Sequence, residues 1–145
     1  MDLFKKRTKP IVVDSLEGML KLDENFSLAL VRSENTVFKR WTNHSTEDRI
    51  VHISQRRGGW IAEDANVSDD AFIGKGAIVK SRALVASIEV GERTIIGRDA
   101  VVNIDLGEDC EVGDRSIMGY NMQNINLRGA TKRPLSIKNT KNNLT

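Results

Sequence analysis

The stretch that decides the fold is EVGERTIIGRDAVVN, residues 89–103. Within it, an aliphatic residue followed by glycine occurs at Val90-Gly91 and again, six residues later, at Ile96-Gly97. An α-helix repeats its apolar side about every 3.6 residues and a β-strand every two, so neither element alone explains a step of six. The step therefore indicates a repeat architecture built from very short elements.

The same step extends far beyond this stretch. From Ile61 onward, aliphatic residues recur in steps of 6, 6, 6, 6, 5, 6, 6, 4, 6 and 6 residues. These positions are Ile61, Val67, Ile73, Val79, Val85, Val90, Ile96, Val102, Leu106, Val112 and Met118. A small residue stands two positions before most of them, and Ile88 and Ile104 take that slot where the step is short. We expect both isoleucines to refill interior volume there.

This pattern has a specific physical interpretation. Three strands of about two inward side chains close a triangular coil of about eighteen residues, and coils stack about 4.8 Å apart through strand hydrogen bonds. The aliphatic residue fills the interior, and the small residue keeps the corner narrow. Six of the eleven glycines directly follow the aliphatic residue, where we expect them to tolerate unusual backbone angles. Eleven such positions make nearly four coils.

The hexads IGKGAI, VGERTI, IGRDAV, LGEDCE and VGDRSI resemble the motif of the hexapeptide-repeat transferases. The resemblance implies an all-β fold, a left-handed parallel β-helix. The segment RRGGWIAEDANVSDDAFI, residues 56–73, is similar to a group of bacterial hexapeptide-repeat proteins in which Gly-Gly-Trp precedes the first coil. We expect Trp60 to cover the open end of the prism.

The sequence divides into three parts. Residues 1–57 predict a small β-rich cap, with a short helix over 14–22 capped by Ser15 and strands over 27–32, 36–41 and 49–54. Residues 58–120 are predicted to form the β-helix. Residues 121–145 lose the hexad and predict a flexible basic polar tail, whose beginning crosses the last coil and whose final dozen residues are disordered.

Charge is distributed unevenly around a net value of +2. Residues 1–60 carry 11 Lys/Arg against 8 Asp/Glu, residues 61–120 carry 6 against 12, and residues 121–145 carry 5 against 0. An anion-binding surface is therefore expected at the ends, and nucleic acid or an anionic surface is a candidate partner of residues 121–145. No apolar run predicts a signal peptide or a membrane span, so a cytoplasmic location is the default expectation.

The resemblance also implies acyl transfer, with a histidine as general base between subunits and coenzyme A along the coils. The sequence has only two histidines, His44 and His52, and neither lies in the repeat. His44, in the turn WTNHSTED, is the candidate catalytic base, with Glu47 or Asp48 to orient it. His52 is interpreted as a strand residue that points away from the side chains its neighbours bury.

Other chemistry finds less support in the sequence. One branch of the same fold binds zinc with three histidines across a subunit interface, and two histidines do not supply that set, so no metal is predicted. The acidic pairs Asp69-Asp70 and Glu108-Asp109 are interpreted as solvated turn residues. Cys110, the single cysteine, stands in a small inward slot and is interpreted as buried filler rather than a nucleophile.

Three functions from different classes remain open. The first is a non-catalytic structural or binding module that self-associates, as a homotrimer or by end-to-end stacking, and needs no cofactor. The second is an acyltransferase that binds coenzyme A or acetyl-coenzyme A and uses His44 or another base outside the repeat. The third is a nucleic-acid accessory protein acting through its basic ends. The absence of histidine from all eleven repeat positions favours the first.

Overall fold

The structure, a computed structural model, describes residues 9–119. Its first half contains β1 (Ile11–Val13), helix α1 (Leu16–Leu20), β2 (Leu28–Val31), β3 (Thr36–Thr42), a 3₁₀-helix (Ile53–Gln55) and β4 (Arg57–Ala62). Nine two-residue strands follow: β5 (Asn66–Val67), β6 (Phe72–Ile73), β7 (Ile78–Val79), β8 (Leu84–Val85), β9 (Glu89–Val90), β10 (Ile95–Ile96), β11 (Val101–Val102), β12 (Glu111–Val112) and β13 (Ile117–Met118).

The short strands stack in parallel into three faces of a β-solenoid. Face 1 contains β4, β7, β10 and β12, and face 2 contains β5, β8, β11 and β13. Face 3 contains β6 and β9, and a single bridge from Val90 adds Leu106 to it. We call the turns from face 1 to 2, from 2 to 3 and from 3 to 1 corners A, B and C. The predicted all-β parallel β-helix is thereby confirmed.

The predicted interior positions are also confirmed. Ten of the eleven repeating aliphatic residues are at most 6% exposed, and Val67 packs against the same cluster in a partly buried position. The small residues stack beside them at the corners. Those that are buried are Ala71, Ala77, Ala83, Thr94, Ala100, Cys110 and Ser116. The interior is therefore a column of aliphatic side chains flanked by small ones, as close packing of a narrow prism requires.

Three of the repeated glycines serve a different purpose from the one expected. Gly74, Gly91 and Gly97 do not have positive φ angles, so the expectation of unusual backbone angles is wrong for them. A Cβ at Gly74 would lie 2.7 Å from the amide nitrogen of Glu92 on the next coil. Close approach of the next coil therefore excludes a side chain. Among the repeated glycines, Gly119 does have a positive φ, as expected. At the other corners positive φ occurs two residues after the glycine slot, at Gly76, Arg82, Arg93, Asp99, Asp109 and Arg115.

The N-terminal cap is an extension of face 1. Strand β1 pairs with β2 in parallel, and β2–β3 and β3–β4 pair antiparallel, so the cap and face 1 form one seven-stranded sheet. Ser15 is the N-cap of helix α1, and its hydroxyl accepts from the Gly18 amide at 3.2 Å, which confirms the predicted cap. Met19 and Trp60 are buried in a second hydrophobic cluster on the outer side of this sheet.

Two local predictions for the cap are wrong. Residues 49–54 do not form a strand, because the chain makes a Thr46–Arg49 bridge and then the 3₁₀-helix. Trp60 does not cover the prism end, because it points to the outer side of face 1 and packs beneath the cap. Trp41 takes the expected place, since it packs against the prism interior and donates from Nε1 to the Ala71 carbonyl at 3.0 Å.

The edge of face 3 is closed by one amide side chain. Asn43, 2% exposed, accepts from the Ile73 amide at 2.8 Å and donates to the Ile73 carbonyl at 3.0 Å. Its Nδ2 also donates to the Gln55 carbonyl at 2.9 Å. Asn43 therefore supplies the hydrogen bonds that a further strand would otherwise make. The predicted flexible tail, residues 121–145, lies outside the described residues.

Candidate functional site

The three corners of the solenoid differ in chemistry. Corner A carries alternating charges, with Asp64, Arg82, Asp99 and Arg115 on successive coils. Arg82 donates to both carboxylate oxygens of Asp99, at 2.9 and 3.0 Å. This bond lowers the pKa of Asp99, with the charges of Arg82 and Arg115 adding to the effect. Corner A is therefore a ladder of alternating charges, in which the Arg82–Asp99 ion pair links two neighbouring coils.

Corner C is charged in the same way. Arg93 donates to both oxygens of Asp109, at 2.8 and 3.0 Å, and lies 3.2 Å from Glu92 and 3.4 Å from Glu108. The hydrogen bond to Asp109 is the main cause of the raised pKa of Arg93. The carboxylates of this corner thus serve the stacking of the coils.

Corner B lacks such a ladder in the part of the chain that the structure describes, and it shortens along the stack. The distance along the chain between the inward aliphatic residues on either side of this corner falls from six residues (Val67 to Ile73) to five (Val85 to Val90) and then to four (Val102 to Leu106). Ser87 donates to the Ile104 carbonyl at 2.6 Å. Asp105 accepts from the amides of Ile88 and Glu89, both at 2.9 Å. These bonds hold the two shortened turns in register.

The shortened turns of corner B form a groove of about 580 Å³. The expectation that Ile88 fills the interior is wrong, because the five-residue step turns this side chain outward and leaves it 64% exposed. Ile104 is half-buried and packs against the interior cluster. We call this feature the corner groove; it is lined by Ala86, Ser87, Ile88, Asn103, Ile104 and Asp105.

The corner groove adjoins an apolar row on the outer side of face 2. This row, which we call the face 2 row, consists of Leu84, Val101 and Ile117, paired across β8, β11 and β13. Leu84 is 44% exposed and Val101 is half-buried, whereas Ile117 is 8% exposed; neither hydrophobic cluster contains Leu84 or Val101. The row and the groove were missed from the sequence. The signal available was the 6, 5, 4 shortening, which recurs at one corner only.

The outer sides of the other two faces are covered by the N-terminal part of the chain. The outward residues of face 1, such as Ile78, pack under α1 in the second cluster. On face 3, the guanidinium of Arg49 lies 4.7 Å from the ring centroid of Phe72 and 3.0 Å from the Glu89 carboxylate. Face 2 is thus the face with an apolar outer row that the cap does not cover.

His44 lies in an exposed loop near the N-terminal end of the prism. It lines a depression of about 310 Å³ together with Lys39, Arg40, Trp41, Thr42 and Asp69. Among residues 9–119, neither Glu47 nor Asp48 hydrogen-bonds its imidazole, and both carboxylates are exposed. The depression therefore contains an imidazole and cationic side chains, but not the oriented histidine–carboxylate pair that was predicted.

The cation beside His44 is already engaged. Arg40 stacks over Trp60 at 4.1 Å from the ring centroid and donates to the carbonyls of Phe26 and Asp23, at 3.1 and 2.8 Å. Burial is the main cause of its lowered pKa, and the charge of Arg57 adds to it. Arg40 therefore fixes the cap to the solenoid. Of the two cations that line the depression, Lys39 is the one with an exposed side chain.

The remaining candidates are structural. His52 directly precedes the 3₁₀-helix, and its amide donates to Gln55 Oε1 at 3.2 Å. Ile53 beside it is 74% exposed, whereas the predicted strand would have buried it. Cys110 is buried, as predicted, and its amide donates to Thr94 Oγ1 at 3.1 Å. Within the described range, no group of three His, Cys, Asp or Glu side chains lies close enough to hold a metal ion.

Comparison of the chain with protein-family models, with curated proteins and with solved structures found no match. Over residues 9–119, no helix has the length and apolar character needed to cross a membrane. The geometry of the solenoid itself is therefore the basis for a functional proposal.

Proposed function

We propose that this chain is a non-catalytic structural or binding module that self-associates through the face 2 row and the corner groove. The observation that carries the proposal is Ile88, which stands 64% exposed in a groove of about 580 Å³ beside that apolar row. A contiguous apolar surface with a polar rim is typical of an interaction site.

The surface is also rigid, which favours association. The turn that carries Ile88 is fixed by the Ser87 hydroxyl and the Asp105 carboxylate, which bond to the adjacent coil. Few side chains would lose conformational freedom on binding, so little of the binding free energy is spent on ordering them. A partner would add contacts to a surface that is already formed.

The arrangement favours a closed ring of copies. We propose that the protruding Ile88 of one copy packs on the face 2 row of the next without a reciprocal contact, which makes the interface heterologous. Heterologous contacts close into a ring when the rotation between copies divides a full turn. A homotrimer is the closed ring that we propose.

A substitution pair tests the proposal. Ile88→Glu places a charge in the proposed interface, whereas Ile53→Glu makes the same change at a 74% exposed site outside the groove. Light scattering is expected to give about three times the 16.2 kDa chain mass for the wild type and for Ile53→Glu. Ile88→Glu is expected to give the monomer mass. An unchanged mass for Ile88→Glu, or a monomeric wild type, would refute the interface.

An acyltransferase is the second candidate, because His44 lines a depression that also contains Lys39. An imidazole is suited to deprotonate an acceptor, and an exposed ammonium is suited to bind a phosphate of coenzyme A. Isothermal titration with acetyl-coenzyme A tests this function, and His44→Ala is expected to abolish turnover. Absence of binding at millimolar ligand would exclude it.

A further inference from the structure

The three faces of the solenoid are closed differently at their N-terminal end. On face 1, β3 pairs with β4 and continues the sheet. On face 3, Asn43 binds both the amide and the carbonyl of Ile73. On face 2, β5 (Asn66–Val67) is the terminal strand of its sheet, and no strand of the described residues pairs with its outer edge. We call this open edge the β5 edge.

Val67 is the residue whose backbone faces the β5 edge. The amide of Asn66 donates to the Ala83 carbonyl on the next coil at 2.8 Å. Successive residues of a parallel strand direct their N–H and C=O groups to opposite sides, so the groups of Val67 point away from that coil. Val67 thus takes the place on face 2 that Ile73 takes on face 3. In the described part of the chain no side chain closes it as Asn43 closes face 3, and open strand edges of this kind pair readily with another chain.

The side chains at the β5 edge are apolar and incompletely covered. Val67 is partly buried, whereas the other ten repeating aliphatic residues are at most 6% exposed. Ala65 and Trp41 are also partly buried, and all three pack against the interior cluster. A strand added to the β5 edge would direct alternate side chains over these three residues. An aliphatic side chain there would bury apolar surface, which favours binding.

Exposed carboxylates flank the β5 edge at both of its ends. Glu63 and Asp64 precede the strand and line a depression of about 310 Å³. Asp69 and Asp70 follow the strand, and Asp69 lines the depression that contains Lys39. Within the described range, none of the four carboxylates forms an ion pair, in contrast to the paired carboxylates further along corners A and C. Four carboxylates beside one ammonium favour a basic ligand.

We propose that the β5 edge is a further binding site, which takes an extended basic segment of another protein as an added strand. The N–H and C=O of Val67 supply main-chain hydrogen bonds, and an aliphatic side chain of the segment covers Val67 and Trp41. Lysine or arginine on either side of that aliphatic residue meets the flanking carboxylates. The site is separate from the face 2 row and the corner groove, so it goes beyond the proposed self-association.

Two fluorescently labelled peptides of equal charge test the inference. One alternates lysine with valine and the other alternates lysine with glycine, so only the first favours a strand. Fluorescence anisotropy is expected to show saturable binding of the valine peptide, at least tenfold tighter than that of the glycine peptide. Equal affinities would overturn the inference, because charge alone would then explain the binding. Absence of binding by the valine peptide at millimolar concentration would overturn it as well.

Val67→Pro and Val67→Ala are a matched pair of variants. Proline removes the amide that would donate to the added strand, and it is tolerated where that amide faces the edge of a sheet. Alanine shortens the side chain but keeps the amide. Val67→Pro is expected to weaken binding of the valine peptide at least tenfold, whereas Val67→Ala retains most of it. Binding by Val67→Pro equal to that of the wild type would refute strand addition. The comparison of the two peptides on the wild type holds even if Val67→Pro does not fold.

A second pair of variants tests the charge of the site. Asp69→Asn/Asp70→Asn removes two carboxylates at the β5 edge. Glu17→Gln/Glu111→Gln makes the same change in net charge at exposed positions on α1 and on the last strand of face 1. At low salt, only the first variant is expected to weaken binding of the valine peptide, by about fivefold, and the difference should shrink as salt is added. Equal effects of the two variants would contradict the basic ligand.

Hydrogen exchange at the Val67 amide separates a partner from the chain itself. In the protein alone this amide is expected to exchange fast, and saturating valine peptide should slow it at least tenfold. Slow exchange in the protein alone would mean that the chain or a second copy already pairs with the edge, and would overturn the inference. Ile88→Glu is expected to bind the peptide as the wild type does, so failure of the corner groove and failure of the β5 edge are distinguishable.

Discussion

Gly91 and Gly107 occupy the same position on adjacent coils, directly after an inward aliphatic residue, and they provide a matched test of the stacking. An added Cβ at Gly91 would lie 2.5 Å from Glu108 N and also too close to the backbone of Gly107. An added Cβ at Gly107 would meet nothing within 4 Å. The same substitution is therefore expected to have opposite effects at the two sites.

The magnitudes follow from these surroundings. At Gly91 the obstructing atoms are backbone, so two coils must separate, and we expect a loss of about 3 kcal/mol in the free energy of unfolding. Gly107 does not have a positive φ, so alanine fits its backbone conformation. Alanine there is expected to stabilise the protein by about 0.4–1 kcal/mol, because it reduces the conformational entropy of the unfolded chain. For a chain of this size, the Tm should fall by about 12 °C in Gly91→Ala and rise by about 2 °C in Gly107→Ala.

Urea denaturation and thermal denaturation followed by circular dichroism measure both effects. Gly97→Ala is a further control, because its Cβ would lie 2.7 Å from Asp114 N and it should behave like Gly91→Ala. If Gly91→Ala and Gly107→Ala change the stability equally, the stacking register is wrong.

Three further predictions concern the interior, the cap and pH. Val102→Asp places a carboxylate at a fully buried position and should abolish the cooperative thermal transition. A variant that still folds would contradict the assignment of Val102 to the interior of the prism. Asn43→Ala leaves both backbone groups of Ile73 unpaired and should cost about 3 kcal/mol in urea denaturation, and a loss below about 1 kcal/mol would contradict the capping role. Because Arg82 lowers the pKa of Asp99 in the folded state, their bond stabilises above the unfolded pKa of about 3.9 and is lost as pH falls through the lower folded value. Asp99→Asn should therefore lower the Tm at pH 7 and converge with the wild type in acid, and a constant difference would contradict this.

Much of the solenoid could be predicted from the sequence, because aliphatic residues recur along the chain with a step of six. Inward positions such as Val90 and Ile96 follow directly from the step of six, and the structure buries both completely. At Gly74, Gly91 and Gly97 the repeated glycine was located correctly but explained wrongly, because the close approach of backbone between coils depends on the stacking distance, which no single hexad reveals.

The candidate surface was harder to predict for a physical reason. At Ile88, a shortened corner leaves two outcomes, an inward side chain that fills volume or an outward one, and the hydrophobic pattern is the same in both. Which outcome holds depends on how the neighbouring turn, fixed by Asp105, closes the corner. Likewise the place of His44 depends on the irregular loop between β3 and the 3₁₀-helix, where periodicity gives no information.

The most direct test of the proposed function is an experimental structure of the assembly, by crystallography or cryo-electron microscopy. We predict that Ile88 and the face 2 row are buried between copies and that His44 faces solvent. An assembly in which His44 lies in a cleft between subunits while Ile88 remains exposed would contradict the binding module and favour the acyltransferase.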